Sequence, residues 1–383
     1  MQSVNGKRRI AFVSTLRSMA WGGSEELWYL GAQEAQARGH SVLVSVFRWP
    51  TDAPKVQALE KKGAVIHRRR ATPPLIHRLV SKLSARLGLK PPSFLNPFLA
   101  LEKWRPDLVV VTDGATYYTV EDPWLSSTLS SYFKGRYLII CQGNAPYHMP
   151  SDRRRAREFF AQAARVLFVS EGNRRQAYHQ LASRIENSEV VQNPIQDSVR
   201  NMLPMPEYDG GLIRFATVGR LAVSDKGQDL LLSALSDPYW KAFPYRLHIY
   251  GSGSDRAYLE ELIAYYGLSE KVALEGYADP SHIWAKCHCL VMPSIIEGTP
   301  LTLLEAMSAG RVCIATDVGG NSQWIEDGFN GYLIDAPKPE LIDRKMRQAV
   351  SEFDGWSRMA KEARRTIEER AVYDQGSAIL SYL

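Results

Sequence analysis

Short apolar runs rich in β-branched residues recur along this chain, separated by stretches long enough to form helices. The first series is RIAFVST (9–15), SVLVSVF (41–47), AVIHR (64–68), DLVVVTD (107–113), RYLIICQ (136–142) and RVLFVS (165–170). Runs that are apolar throughout, not at alternate positions, read as strands buried on both faces and joined by crossover helices, the pattern of a parallel α/β sheet. Asn193, Pro194 and the polar stretch to Gly211 interrupt the series, which then restarts as 212–219, 246–253, 271–277, 289–294, 311–317 and 331–335. A length of 383 residues fills two cores. Two Rossmann-like domains follow, with a cleft between the carboxyl ends of the two sheets as the expected site. The expected divisions are 1–195, 196–365 and a C-terminal helical segment, 366–383, that crosses back to the first domain.

Charge separates the two halves. The chain has 47 basic and 41 acidic residues, but residues 1–200 hold 29 and 16 of them, a net +13, which leaves −7 for the remainder. Opposite signs imply different partners for the two domains. Part of the basic excess lies in IHRLVSKLSARLGLK (76–90): on a helix, Ile76, Leu79, Val80, Leu83 and Leu87 form one apolar stripe, flanked by Arg78, Lys82 and Arg86. Such a segment packs on the sheet as a surface helix or lies on an anionic membrane surface. The basic stretch carries no interleaved aromatics and no known binding motif, which excludes nucleic acid as the expected partner. No apolar run approaches the roughly 20 residues of a membrane span. Four cysteines, Cys141, Cys287, Cys289 and Cys313, make no disulfide framework. A cytoplasmic protein, peripheral on the inner membrane face if the basic segment engages lipid, is the expectation.

The most informative local stretch is PSIIEGTPLTLLEAMSAGRVCIATDVGG (293–320). A strand ends at Ser294, a loop carries Glu297 and Gly298, and Thr299–Pro300 reads as an N-cap and first-turn pair opening a helix that ends near Gly310. Free backbone N–H groups about Leu301 and Thr302, with the positive end of the helix dipole, suit a phosphate. Glu297 and Glu305 can each accept two hydrogen bonds from a vicinal diol. A phosphate flanked by two diol acceptors describes a nucleotide sugar.

With these residues the chain resembles the retaining GT-B glycosyltransferases of glycosyltransferase family 4, whose signature is Glu-x7-Glu in an EG-x-P/S context. The resemblance covers the second domain and, more loosely, the first. It implies an α/β GT-B fold, two Rossmann-like domains facing across a central cleft. It also implies that Glu297 contacts the transferred sugar, that Glu305 holds the ribose, and that Gly298, Thr299, Pro300 and Leu301 approach the diphosphate. A second stretch agrees: in ATVGRLAVSDKGQDLLLSAL (216–235), Arg220 ends a strand and Lys226 opens the next helix. The resemblance assigns both to the leaving diphosphate, whose charge grows in the transition state, where fixed cations act most strongly. Five residues separate them, where many members have four.

In the first domain, Gly22 and Gly23 follow strand one and precede a helix beginning Ser24-Glu25-Glu26, so backbone can approach a ligand there. The resemblance makes this the loop that closes over the donor phosphates and the acceptor. It likewise gives Gly251 and Gly253 of GSGSD, and Tyr277 of EGY, to the base and ribose pocket. Two positions depart from the family pattern. Gln142 stands where many relatives have a histidine, which leaves Gln142, Asn144 and His148 as candidates for acceptor or sugar contacts. Gln323 replaces an expected glutamate after Gly319 and Gly320, which remain available for close backbone approach to the donor sugar.

Metal is not expected. Adjacent positions of an extended Cys287-His288-Cys289 point to opposite faces, and no second cluster completes four ligands. No cofactor beyond the donor substrate is implied. The sequence reads as a retaining, metal-independent glycosyltransferase of hexosyltransferase type. It would move a sugar from a nucleoside-diphosphate sugar to the hydroxyl of a glycan or lipid-linked acceptor in cell-surface polysaccharide or glycolipid assembly. A donor phosphate oxygen, by the resemblance, takes the acceptor proton. The alternatives are a GT-B nucleotide-sugar isomerase or epimerase, which needs paired acid/base residues, and a non-catalytic membrane-binding subunit, which leaves Glu297 and Glu305 unexplained.

Overall fold

A computed structural model describes residues 6–71, 95–195, 201–208, 211–372 and 374–382. The basic segment 76–90 lies outside the described residues. The chain divides into two compact units, one of Met1–Val169, Arg174–Val191 and Asp374–Leu383, the other of Ser170–Asn173 and Gln192–Tyr373.

Among the described residues the first unit holds seven strands: β1 (Arg9–Ser14), β2 (Ser41–Phe47), β3 (Val65–Arg69), β4 (Leu108–Asp113), β5 (Tyr137–Cys141), β6 (Arg165–Phe168) and β7 (Ser188–Val190), in the order β3-β2-β1-β4-β5-β6-β7. All pair in parallel; Ile10 of β1 stands between Val42 and Leu108 of its two neighbours. Ala11 and Val13 enter one core while Ile10 and Phe12 enter another, so β1 is buried on both faces, as its unbroken apolar run requires.

The second unit repeats the plan with six strands among the described residues: β8 (Ile213–Val218), β9 (Tyr245–Tyr250), β10 (Val272–Gly276), β11 (Cys289–Met292), β12 (Val312–Thr316) and β13 (Tyr332–Ile334), in the order β10-β9-β8-β11-β12-β13. Ile213 and Phe215 face one core and Ala216 the other. In each sheet the winding reverses beside the first strand, between β1 and β4 and between β8 and β11. In open α/β sheets such a reversal is where ligands bind, outside the carboxyl ends of the strands.

Three sequence expectations shift. The edge strand β7 escapes a search for apolar runs because it is three residues, Ser-Glu-Val, on an exposed margin. The division expected at 195/196 falls at 191/192. The returning segment begins at Asp374, not 366, because the helix Trp356–Arg370 runs unbroken through that point and buries Ala363 and Ile367 in the second unit's core. The following helix, Gln375–Leu380, joins the first unit's core through Ile379 and Leu380. Gly31 lets it approach, since a side chain there would meet Ile379 at 3.3 Å, and Arg38 Nη2 donates to Ser377 Oγ at 2.6 Å.

Candidate functional site

The second unit's site is assembled by the loops that leave β8, β11 and β12. After β11 the chain runs through Pro293–Pro300 into the helix Leu301–Ser308. Pro300 itself is the N-cap, with an extended ψ of 127°, so the helix starts one residue later than the expected Thr299 cap. Thr299 instead turns towards the β12 loop: a side chain at Gly320 would lie 2.6 Å from Thr299 Oγ1. Its carbonyl accepts Asn193 Nδ2 at 3.0 Å. Gly310, at φ +69°, ends the helical stretch.

Glu297 is 7% exposed. Its Oε1 accepts Lys226 Nζ at 2.6 Å and Ser294 Oγ at 2.7 Å. Both bonds end on one oxygen; among the described residues Oε2 has no such partner. Lys226 comes from the β8 loop and closes the one-turn helix Val223–Lys226, with Gly227 breaking the chain before the next helix, Gln228–Leu235. It therefore ends a helix where the sequence reading had it open one. The two loops are tied by backbone: Ile295 N and Ile296 N both donate to Asp225 O, at 2.8 and 3.1 Å. Arg220, on the same loop, donates through Nη2 to Asp225 Oδ2 at 2.7 Å, and its side chain is 37% exposed. Asp225 was missed by the sequence reading, although it stands between Arg220 and Lys226.

The β12 loop rests on this assembly. Gly320 N donates to Gly298 O at 2.7 Å, and Thr316 Oγ1 to Ser294 O at 2.6 Å. At Gly319, φ is +59° and a side chain would stand 2.3 Å from Glu297 O, so only glycine fits. Gln323 uses its Oε1 to accept Glu171 N at 3.1 Å. Glu305, 4% exposed, lies further along the helix that begins at Leu301.

The β9 and β10 ends lie beside the β8 loop. Gly251 and Gly253 serve close packing there: side chains would meet Gly219 O at 1.9 Å and Leu221 O at 2.2 Å. Tyr277 is 85% exposed. At the end of β10, Glu275 bonds His248 Nδ1 at 2.6 Å, which holds the Glu275 carboxyl below its ordinary range, while burial pulls His248 down despite that bond.

In the first unit, Gly22 and Gly23 lie between β1 and the helix Glu26–Ala37. Gln142 and Asn144 are buried just past β5, and Gln142 Nε2 has no hydrogen-bond partner among the described residues. His148 is more exposed and bonds Glu121 Oε2 through Nε2 at 3.2 Å. The buried Asp113, which the sequence reading passed over, shapes the β4 exit by accepting Thr119 N at 2.7 Å and Ala115 N at 3.0 Å; burial raises its carboxyl.

All four cysteines are buried and free, with Cys287 and Cys289 in different cores. Among the described residues no group of three or more His, Cys, Asp or Glu side chains converges, and no helix is long and apolar enough to cross a membrane.

Residues 207–366 match the family model described as "Glycosyl transferases group 1". The chain is 36% identical over 136 residues to the GtfA subunit of a UDP-N-acetylglucosamine–peptide N-acetylglucosaminyltransferase of Streptococcus pneumoniae, covering 35% of this chain and 27% of that protein. It is 32% identical over 199 residues to the lipopolysaccharide 1,6-galactosyltransferase of Salmonella typhimurium, covering 49% and 52%. The chain thus spans about a quarter and about half the length of these two curated relatives. Among solved structures, Anabaena HepE in complex with UDP-glucose superposes with a TM-score of 0.74 at 19% identity, over 98% of this chain and all of that one. Staphylococcus aureus TarM, in complex with UDP and saccharides, gives 0.70 at 15%, over 98% of each. The fold is therefore GT-B, built from two parallel-sheet α/β units.

Proposed function

We propose that this protein is a glycosyltransferase that moves a sugar from a nucleoside-diphosphate sugar to an acceptor hydroxyl. The observation that carries the reading is the convergence of Lys226, Glu297 and Arg220 at the carboxyl ends of β8 and β11, beside the helix that begins at Leu301. Arg220 and Lys226 supply fixed positive charge for the departing diphosphate, the first-turn N–H groups add donors, and Glu297 accepts sugar hydroxyls. The relatives' names and the UDP and UDP-glucose in the HepE complexes support a uridine nucleotide as donor.

In this reading the bond from the anomeric carbon to the phosphate oxygen breaks, a bond from that carbon to the acceptor oxygen forms on the same face, and the acceptor proton passes to the leaving diphosphate. Configuration is retained, as in glycosyltransferase family 4. The two cations supply the charge stabilisation, so no divalent ion is required. Glu305 holds the ribose. The acceptor is a glycan or lipid-linked glycan of cell-surface polysaccharide or glycolipid assembly, and the basic first unit faces its anionic surroundings at the membrane.

The test is a panel of purified UDP-, GDP-, ADP- and dTDP-sugars, read by thermal stabilisation and by slow release of nucleoside diphosphate. One donor should stabilise the protein and be hydrolysed, with turnover nearly abolished by Arg220→Ala or Glu297→Ala in folded protein. Full hydrolysis in either variant would remove the site assignment, and epimerised donor without transfer would replace the reading with an isomerase.

A further inference from the structure

Strands β1, β4, β5 and β6 of the first unit are neighbours and run parallel, so all of them begin at the edge of the sheet opposite the loops that carry Gly22, Gly23, Gln142 and Asn144. At that edge lies a cavity of about 530 Å³, lined by Lys7 and Arg8 ahead of β1, Asp107 ahead of β4, Arg136 ahead of β5, Ala164 ahead of β6, and Tyr382 of the returning segment. Strand pairing consumes the backbone acceptors nearby: the carbonyls of Arg8, Arg9 and Arg136 accept Ser41 N, Asp107 N and Val109 N at 2.9, 2.7 and 3.0 Å. Asp107, the one carboxylate of the lining among the described residues, gives its Oδ2 to Arg9 N at 2.8 Å. The donors are not consumed in the same way. Arg136 donates through Nη1 to Pro106 O at 3.3 Å and through Nη2 to Tyr132 O at 2.7 Å, which fixes the guanidinium without a carboxylate. Lys7 and Arg8 have no side-chain hydrogen bond or ion pair among the described residues.

Cations at this edge have an ordinary use, because helices that return antiparallel to the strands end there with unpaired carbonyls. Arg136 serves that use at Tyr132, the last residue of the helix Pro123–Tyr132. Lys7 and Arg8 do not, and they line the same cavity. Its aromatic wall is fixed by a neutralised pair: Arg165 Nε stands 2.8 Å from Glu189 Oε1, and Glu189 Oε2 accepts the Tyr382 hydroxyl at 2.7 Å. Glu189 therefore adds no net charge to oppose an anion. Three cations against one carboxylate leave the lining at a net +2, the charge that a phosphate monoester balances near neutral pH. The volume falls within the roughly 300–1,000 Å³ of small-molecule sites and leaves room for more than a bare phosphate. We propose that this cavity binds a phosphate ester, with the phosphate among Lys7, Arg8 and Arg136 and the organic portion against the ring of Tyr382.

The site lies wholly within the first unit and shares no residue with the assembly of the β8, β11 and β12 loops, so it stands independently of the nucleotide-sugar reading. A soluble ester and the headgroup of an anionic phospholipid offer the same phosphate oxygens to these cations. They differ in where the rest of the molecule goes: a soluble ester enters the cavity whole, whereas a headgroup keeps its acyl chains outside and must be presented on a bilayer. Glycerol 3-phosphate and phosphatidic acid carry the same glycerol phosphate in the two settings, which makes them matched probes.

The experiment measures binding of glycerol 3-phosphate by calorimetry, and of phosphatidylcholine vesicles with and without phosphatidic acid by co-sedimentation, on the whole chain. Wild type is compared with the double variant Lys7→Gln, Arg8→Gln and with Ala164→Leu, which fills the cavity while keeping every charge. A control, Arg154→Gln with Arg184→Gln, removes equal charge from exposed positions elsewhere in the first unit. Since the Lys7 and Arg8 side chains hold no other group, the double variant should unfold at the wild-type temperature. Wild type should bind a probe, the double variant should bind it about tenfold more weakly per cation removed, Ala164→Leu should lose it, and the control should retain it. Glycerol 3-phosphate bound in solution identifies a soluble ester, and binding only to vesicles that contain phosphatidic acid identifies a headgroup; either pattern upholds the proposal. Binding of neither probe, binding that survives Ala164→Leu, or binding that falls as far in the control as in the double variant would overturn it.

Discussion

Replacing Lys226 by Met tests the centre of the site, because it removes the ammonium while keeping most of the side-chain volume. In the native arrangement Lys226 Nζ stands 2.6 Å from Glu297 Oε1, with the two side chains 22% and 6% exposed. Removing one member of a buried pair costs about 3–5 kcal/mol, because the remaining charge stays buried without its partner. Lys226 retains some contact with water and Glu297 keeps the Ser294 hydroxyl, so about 2–3 kcal/mol is the better figure here. For a unit of this size each kcal/mol lowers the midpoint by about 2–4 °C, giving a fall of roughly 4–12 °C. The double variant Lys226→Met, Glu297→Gln removes both charges and should recover much of that loss, with a coupling energy of about 1–3 kcal/mol. Donor hydrolysis behaves differently. It should fall about 100- to 1000-fold in Lys226→Met, the loss typical of one transition-state donor, and the double variant should not restore it. Urea titrations and donor hydrolysis on wild type, Lys226→Met, Glu297→Gln and the double variant separate the two effects. Additive stabilities, with coupling below about 0.5 kcal/mol, would show that the pair is not a buried unit, and near-native hydrolysis in Lys226→Met would show that its ammonium does not serve the leaving group.

Gly319→Ala forces a side chain onto the carbonyls of Glu297 and Gly298 at a φ of +59°; a loss of about 1–3 kcal/mol and a larger proportional loss of donor hydrolysis should appear together in unfolding and turnover assays. Arg311, fully buried, donates to the carbonyls of Leu203, Pro204, Trp284, Ala309 and Gly310 at 2.6–3.2 Å; Arg311→Met should lower stability by more than about 3 kcal/mol, since several buried acceptors lose their donor at once. Glu25 makes stability depend on pH: with its folded carboxyl raised from 4.5 to about 7, its contribution is whole below the ordinary carboxylate range, declines as pH rises to about 7 and is flat beyond. At about 1.4 kcal/mol per pH unit the loss amounts to about 3 kcal/mol at most, so Glu25→Gln should match wild type near pH 4.5 and exceed it at pH 8 in denaturant titrations.

Most of the architecture is legible in the sequence because a strand buried on both faces must be apolar at every position, and such runs stand out. Ser188–Val190 does not stand out, since an exposed edge strand has no apolar requirement and only its pairing with β6 defines it. Glu297 and Glu305 are legible because strand, loop and helix are contiguous there, and local chemistry is enough to place them. The Lys226–Glu297 contact is not, since its partners are 71 residues apart and meet only when β8 and β11 pair. Glu25 misleads in another way. Acidic residues in a first helical turn usually face water and complement the dipole, and only the tertiary packing of Ser14, Trp28 and Arg69 shows that this one is interior. Gly319, Gly251 and Gly253 carry a further constraint that the local sequence does not show, since neighbouring backbone stands where a side chain at each would lie.

In the glycosyltransferase reading proposed above, the Lys226–Glu297 pair would also shape how the parts of a donor bind. One ammonium cannot fully serve both Glu297 and a diphosphate, so phosphate binding at Lys226 draws on a bond that Glu297 loses. A nucleoside diphosphate alone leaves the buried Glu297 with Ser294 as its remaining donor among the described residues, an arrangement that opposes binding. A nucleotide sugar returns hydroxyl donors to the same carboxylate. The two halves of the donor should therefore bind with positive coupling, and Glu297→Gln should affect them in opposite directions, because a neutral amide neither holds Lys226 strongly nor anchors the sugar as a carboxylate does. Calorimetry with UDP and UDP-glucose, or the corresponding pair for whichever donor the panel identifies, is the measurement. In Glu297→Gln the nucleotide should bind as well as or better than to wild type, while the nucleotide sugar weakens by about tenfold or more, the loss of one charged hydrogen bond. Equal weakening of both ligands would mean that Glu297 acts through the fold of the loop and not by exchanging Lys226 for the sugar.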